Sequence, residues 1–197
     1  MKTADVLREF EEAGALQRGH FILSSGLHSD TYLNKSIVSM HADRTERLCR
    51  ALADKARAKV GGEIEYVIAP AMGAIIYGYE VARWLKVPFM FVERVDGAFA
   101  LRRGFAVPTG ARVLVVEDIV STGLSARECI DAVRKAGGVV AALACLIDRS
   151  GGKADFDVPL IPLAELKVEA WPADDLPPHL AGVPAVKPGS RGVSQSA

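Results

Sequence analysis

Cysteine is scarce in this chain: Cys49, Cys129 and Cys145 are the only three, widely spaced and odd in number. That excludes a disulfide framework and a zinc ribbon, and reads as free thiols, buried or half-buried, in a reducing cytosol. An excess of charge of one sign is missing too. Lys plus Arg and Asp plus Glu number 24 each, with no long like-charge run, so the composition shows neither a nucleic-acid footprint nor an attraction to anionic membrane. No uninterrupted apolar run approaches the ~20 residues of a membrane span. The opening "MKTADVLREFEEAGAL" carries acids every few residues where a signal peptide needs an apolar centre. These absences predict a soluble, cytoplasmic protein.

What is present is ordinary globular material. The 197 residues are half hydrophobic and about a quarter charged, enough for one domain with a proper core. Residues 4 to 16 place Val6, Leu7, Phe10, Ala13 and Leu16 at helical spacing, with Thr3 available as N-cap. "RGHFILSSGLHSDTYLN" reads as strand and turn, and a helix is expected from about Asp43 to Lys59, stopped by Gly61-Gly62. Strands and helices then alternate: "EYVIAPA" (65–71), helix 73–86, "VPFMFVER" (87–94), "RVLVVED" (112–118), helix 124–137 and "VVAALACLID" (139–148). "VDGAFALRRGF" (95–105) is either a hairpin or a mobile loop, and "VPLIPL" suits an edge strand. Apolar strands separated by helices of a dozen residues predict an α/β fold with parallel strands covered on both faces. The Pro-, Gly- and Ser-rich end predicts a disordered tail over 186–197 behind a single domain of 1–185.

The chemistry concentrates in "ARVLVVEDIVSTGLSARECIDAV" (111–133). In an open α/β sheet, ligands bind outside the carboxyl ends of the strands. Glu117 and Asp118 fall at such an end, and the turn after them opens a helix. The unsatisfied amides of Ser121 to Ser125, with the helix dipole behind them, make an anion cradle. An anion cradle beside two acids suits a sugar phosphate, whose phosphate takes the amides while its vicinal hydroxyls donate to the carboxylates. Two plainer readings use the same residues: a receiver-type metal site, or a simple helix cap.

"VLVVEDIVSTGLS" resembles the phosphoribosyl-diphosphate (PRPP) motif of the type I phosphoribosyltransferases. "GHFILSSGLHSDTYLN" (19–34), "CLIDRSGG" (145–152) and "ERVDGAFALRRGF" are similar to segments of the orotate branch of that family. The resemblance implies a central, mostly parallel sheet flanked by helices, with a hood formed by about 1–35 and part of the C-terminal region. It implies transfer of the ribosyl phosphate of PRPP to orotate, giving orotidine 5′-monophosphate and pyrophosphate, a late step in making pyrimidine nucleotides (UMP). It also implies a homodimer and Mg²⁺ carried mainly by the diphosphate, with no protein metal ligand. On this resemblance Glu117, Asp118 and Arg94 are the catalytic candidates. PRPP would be held by Arg94, Glu117, Asp118, Ile119, Val120, Ser121, Thr122, Gly123, Leu124 and Ser125, with Arg94 reaching a neighbouring subunit's site. Orotate would be held by Ser121, Arg149 and Tyr32, with Leu33 beside Tyr32. "IAPAMGA" (68–74) matches the loop under the pyrophosphate, where Gly73 permits close approach.

The sequence departs from the family pattern at Met72 and Ser24, where lysines are common, and its loop offers Arg102 and Arg103 in place of lysines and a histidine. His20 and His28 flank the base-binding segment as supporting donors; His41 and His179 read as ordinary polar positions. Two alternatives remain open: a purine or xanthine phosphoribosyltransferase, and a PRPP-sensing regulator with a degenerate site.

Overall fold

A computed structural model of the chain describes residues 1–23 and 25–188. Ser24 and residues 189–197, most of the expected tail, lie outside the described residues. Val186, which the sequence put in that tail, is bonded into the fold: its amide donates to the His20 carbonyl at 2.9 Å and its carbonyl accepts from Ile22 at 2.8 Å.

The amphipathic opening forms helix α1 (Thr3–Glu12), shorter than its periodicity suggested. Its cap is not Thr3, which already lies in the first turn. Lys2 occupies the cap, and its amide donates to the Asp5 carboxylate at 3.2 Å. Gly14, at φ +74°, turns the chain, so that Ala15 enters the core just ahead of strand β1 (Leu16–Ile22) and Leu16 from its first position. This strand pairs antiparallel with β2 (His28–Leu33) in a separate two-stranded hairpin. A short helix that the sequence reading missed, α2 (Lys35–Ser39), follows directly. It is capped by the Asn34 side chain, which accepts from the Ser36 amide at 3.2 Å. Helix α3 (Ala42–Lys59) then leads into the main sheet.

That sheet has six strands: β3 (Tyr66–Pro70), β4 (Phe89–Val95), β5 (Ala98–Leu101), β6 (Arg112–Val120), β7 (Val139–Asp148) and β8 (Leu160–Glu165). Their order is β5-β4-β3-β6-β7-β8, parallel throughout except for the antiparallel β4–β5 pair. Residues 95–101 therefore resolve the open choice as a hairpin. Asp96-Gly97, both at positive φ, form its two-residue turn. Helix α4 (Ile75–Leu85) connects β3 to β4, and α5 (Leu124–Lys135) connects β6 to β7.

The pleat of β6 sorts its side chains between two cores. Leu114 and Val116 face the layer of α1, α3 and α4, whereas Val113 and Val115 face α5. All three cysteines are buried and unpaired within these cores.

Candidate active site

Glu117 and Asp118 continue that alternation, so the two acids leave β6 on opposite faces of the sheet. Glu117 looks toward Ser125 and Cys129 of α5, and Asp118 toward Lys35 and Tyr77. The sequence placed them at a solvent-reached strand end. The strand instead runs on to Val120, and both carboxyls are buried, at 6% and 1% exposure.

Their environments differ. Glu117 Oε1 accepts the Asp118 amide at 3.1 Å, while Oε2 is buried without a partner. Burial first, and the neighbouring Asp118 second, push the Glu117 carboxyl up to about 8. Asp118 Oδ1 accepts the Ile119 amide at 2.6 Å. Its Oδ2 meets the Lys35 ammonium as an ion pair, without the angle of a hydrogen bond. Lys35 is held at its backbone, where the Tyr77 hydroxyl donates to its carbonyl at 2.7 Å. Gly73, in the loop between β3 and α4, closes this corner. A Cβ there would run into Asp118 Oδ2 and lie 2.8 Å from Lys35 Nζ, so any other residue displaces the pair.

The cradle lies beyond Glu117. Ile119, Val120, Ser121, Thr122, Gly123, Leu124 and Ser125 line a small cup of about 120 Å³ together with Glu117 and Ala126. Gly123 takes φ +76°, and a Cβ there would meet the Phe156 ring at 2.8 Å and Arg127 Nη1 at 2.9 Å. Arg127 braces the turn from below, its guanidinium donating to the Thr122 carbonyl at 2.7 Å. Among the described residues the amides of Ser121, Thr122, Gly123, Ser125 and Ala126 have no protein acceptor. That is the condition for holding an anion at a helix start.

Arg149 lies beside the cup, its amide donating to the Val120 carbonyl at 2.9 Å. Its guanidinium is half-buried and has no carboxylate partner among the described residues; burial pushes it below the ordinary arginine range. Tyr32 is among the groups acting on it, and Tyr32 itself packs against Phe21 with ring centroids 5.6 Å apart. Leu33 packs into the core.

Arg94 is not brought to this group. Its guanidinium pairs with Glu128 of α5, donates to the Gly97 carbonyl at 2.7 Å and stacks over Phe99 at 4.4 Å. Arg103 pairs with Glu93 at 3.0 Å. His20 and His28 bond to each other at 2.6 Å, and His20 bonds to the Val183 carbonyl at 2.7 Å, tying the hairpin to the C-terminal segment. His41 sits at the α3 cap position without bonding there, and His179 lies 3.6 Å from Asp30. A cleft of about 820 Å³ between α1, α3 and β8 shares no residue with the acid pair. Of its arginines, Arg8 pairs with Asp5, Arg47 pairs with Glu9 and Asp43, and Arg50 lies over the Trp84 ring.

A model of the phosphoribosyl transferase domain matches residues 40–161. The orotate phosphoribosyltransferase of Phenylobacterium zucineum is 58% identical over 97% of this chain and 98% of its own length. Orotate phosphoribosyltransferase 2 of Mesorhizobium japonicum is 59% identical over 98% of this chain and all of its own. The chain belongs to the orotate phosphoribosyltransferase family. Within the family, the solved orotate phosphoribosyltransferase from Aeropyrum pernix superposes with a TM-score of 0.68 at 26% identity, covering 82% of this chain and 93% of that one. An adenine phosphoribosyltransferase from Saccharomyces cerevisiae gives 0.65 at 19% identity, over 81% of this chain and 99% of that one. That second likeness is of fold alone, so the base must be argued from side chains.

Lys35 is the residue that sequence reading missed. It stands outside the motif, 83 residues before Asp118 (118 − 35), and its local signal is only a lysine after a capping asparagine.

Proposed function

We propose that this site transfers the ribosyl phosphate of PRPP to orotate, giving orotidine 5′-monophosphate and pyrophosphate for pyrimidine nucleotide synthesis. The observation that carries the reading is the set of amides at Ser121, Thr122, Gly123, Ser125 and Ala126 that have no acceptor among the described residues, beside the buried Glu117–Asp118 pair and Arg149, which has no carboxylate partner among them. The amides take the 5′-phosphate and the acid pair takes the ribose hydroxyls. Positive charge then developing on the ribose is stabilised by the nearby carboxylate. Arg149 recognises the orotate carboxylate through its planar fork, with Tyr32 alongside and the Ser121 hydroxyl facing the base.

When bound, Mg²⁺ would be carried by the diphosphate and would supply positive charge against the leaving pyrophosphate. Among the described residues no three acids, histidines or cysteines converge, and Asp118 is engaged by Lys35, so no residue of the chain is assigned as its ligand. Arg94 becomes a diphosphate contact only on leaving Glu128, toward its own or a neighbouring subunit's site. The pairing as a homodimer draws support from Met40, Met72, Ile76 and Tyr79, which are exposed at 74%, 84%, 49% and 59%. Of these, Ile76 and Tyr79 line a cleft together with Ile75 and Phe89. We assign one domain that runs from residue 1 through Val186, with its hood at the N-terminal hairpin, working in the cytoplasm; no helix among the described residues is long and apolar enough to cross a membrane.

Loss of orotate absorbance with PRPP and Mg²⁺ tests the reading directly. Turnover is expected with orotate and not with adenine or xanthine. Arg149→Met should raise the orotate KM roughly 10- to 100-fold, since a charge-assisted contact contributes ~1.5–3 kcal/mol, with PRPP binding unchanged. Turnover of a purine, or PRPP binding lost with orotate KM unmoved, overturns the assignment of Arg149 and of the base.

A further inference from the structure

Two adjacent carboxyls buried in one strand cannot both carry charge cheaply, because each repels the other and neither is solvated. The structure shows which one is favoured. Each carboxyl accepts one backbone amide, but Asp118 also faces the Lys35 ammonium, whereas beside Glu117 the side chain of α5 that acts on it is only the neutral Ser125 hydroxyl. Among the described residues Lys35 is the cation in contact with the pair. The other titratable groups around it are Tyr77 on α4, Cys129 on α5 and Cys145 on β7. Burial pushes the phenol and both thiols up, so they stay neutral. Lys35 is thus the group that decides where the charge sits. Its side chain is 40% exposed, its backbone is held by the Tyr77 hydroxyl, and Gly73 approaches its ammonium closely.

We propose that Lys35 is a positioning residue that assigns the negative charge of the acid pair to Asp118 and leaves Glu117 as the protonated member. The proposal deepens the ribose-binding role given above and rests on it for its kinetic consequences. The two acids then differ in hydrogen-bond chemistry. Asp118 only accepts, whereas Glu117 has a proton to donate. One sugar hydroxyl is held as a donor to Asp118 and its neighbour as an acceptor from Glu117. A vicinal diol in which each hydroxyl has a different role is gripped in one orientation, whereas two equal carboxylates would leave that orientation open.

The charge assignment is read without any substrate. ¹³C-carboxyl NMR of the unsubstituted protein, with signals identified through Glu117→Gln and Asp118→Asn, should show Asp118 ionised and Glu117 protonated at pH 7. In Lys35→Met, Asp118 should hold its proton to a pH higher by about one unit or more, and Lys35→Arg should restore the original titration. The kinetic counterpart is the acid limb of kcat/KM for PRPP. It should move up in Lys35→Met, recover in Lys35→Arg, and approach the parent value at high pH. An ionised Glu117 beside a protonated Asp118 at pH 7, or an acid limb unmoved in a folded Lys35→Met chain, overturns the proposal. Because the NMR titration needs no turnover, a protein inert toward orotate would sink the reading of function and leave this result standing on its own.

Discussion

The two ends of the site are built in different ways. The cradle after β6 comes from one run of chain, Ser121 to Ala126, and its binding groups are backbone amides that the fold cannot satisfy elsewhere. The corner at Asp118 is assembled from three distant pieces: Lys35 after the hairpin, Gly73 after β3, and the acid itself in β6. The cradle holds by geometry and needs no ionised side chain. The corner holds by a single charge pair and one permitted close approach. Between them the pleat of β6 deals one acid to each side, so adjacent residues in sequence serve opposite faces of the sheet.

The largest expected effect separates the two acids. Folded Glu117 keeps its proton up to about pH 8, while the unfolded chain releases it near the ordinary 4.5. Between those values the folded state is the more protonated, so stability declines as pH rises through the window, and the loss is complete above pH 8. Glu117→Gln removes that loss. Urea unfolding should find the variant more stable than the parent by roughly 2–4 kcal/mol at pH 8.5 and equal to it near pH 4, although its turnover falls. Asp118→Asn should show no such gain, because it leaves Lys35 without its partner. Equal pH profiles for the two variants would erase the distinction between the faces. At the small end, Thr122→Ala should raise the PRPP KM by about fivefold at most, the worth of one ordinary hydrogen bond. A loss of 100-fold would mean that the cradle works through its hydroxyls and not its amides.

This division also explains what the sequence revealed. The strand–helix alternation, the parallel sheet and the cradle are local patterns, and hydrophobic period and turn chemistry exposed them. Asp96-Gly97 carried the signal for the β4–β5 hairpin, which stood beside a mobile loop until strand pairing decided. The burial of Glu117 and Asp118 was not legible, because nothing local says that β6 runs two residues past them. Lys35 was hidden for the same reason: its partner lies far along the chain, and the contact exists only once α2, itself only five residues long, has folded against the β3–α4 loop. Arg94 was placed by its position in a motif, whereas its partner Glu128 sits on α5, across a strand order that the linear sequence does not display.

The most direct test is to load the two ends of the site separately. Ribose 5-phosphate and Mg²⁺–pyrophosphate, titrated by calorimetry into Gly123→Ala and Gly73→Ala, should give crossed losses. Gly123→Ala, strained at its positive φ and pressed on Phe156, should lose ribose 5-phosphate by at least about tenfold, some 1.4 kcal/mol, and keep pyrophosphate. Gly73→Ala, in the loop matched to the pyrophosphate and pressed on Asp118 and Lys35, should lose pyrophosphate, and should weaken ribose 5-phosphate only through its ribose hydroxyls, by less than Gly123→Ala does. Equal weakening of both ligands in both variants, or the reverse crossing, would contradict the account of a backbone cradle at one end and a charge-built corner at the other.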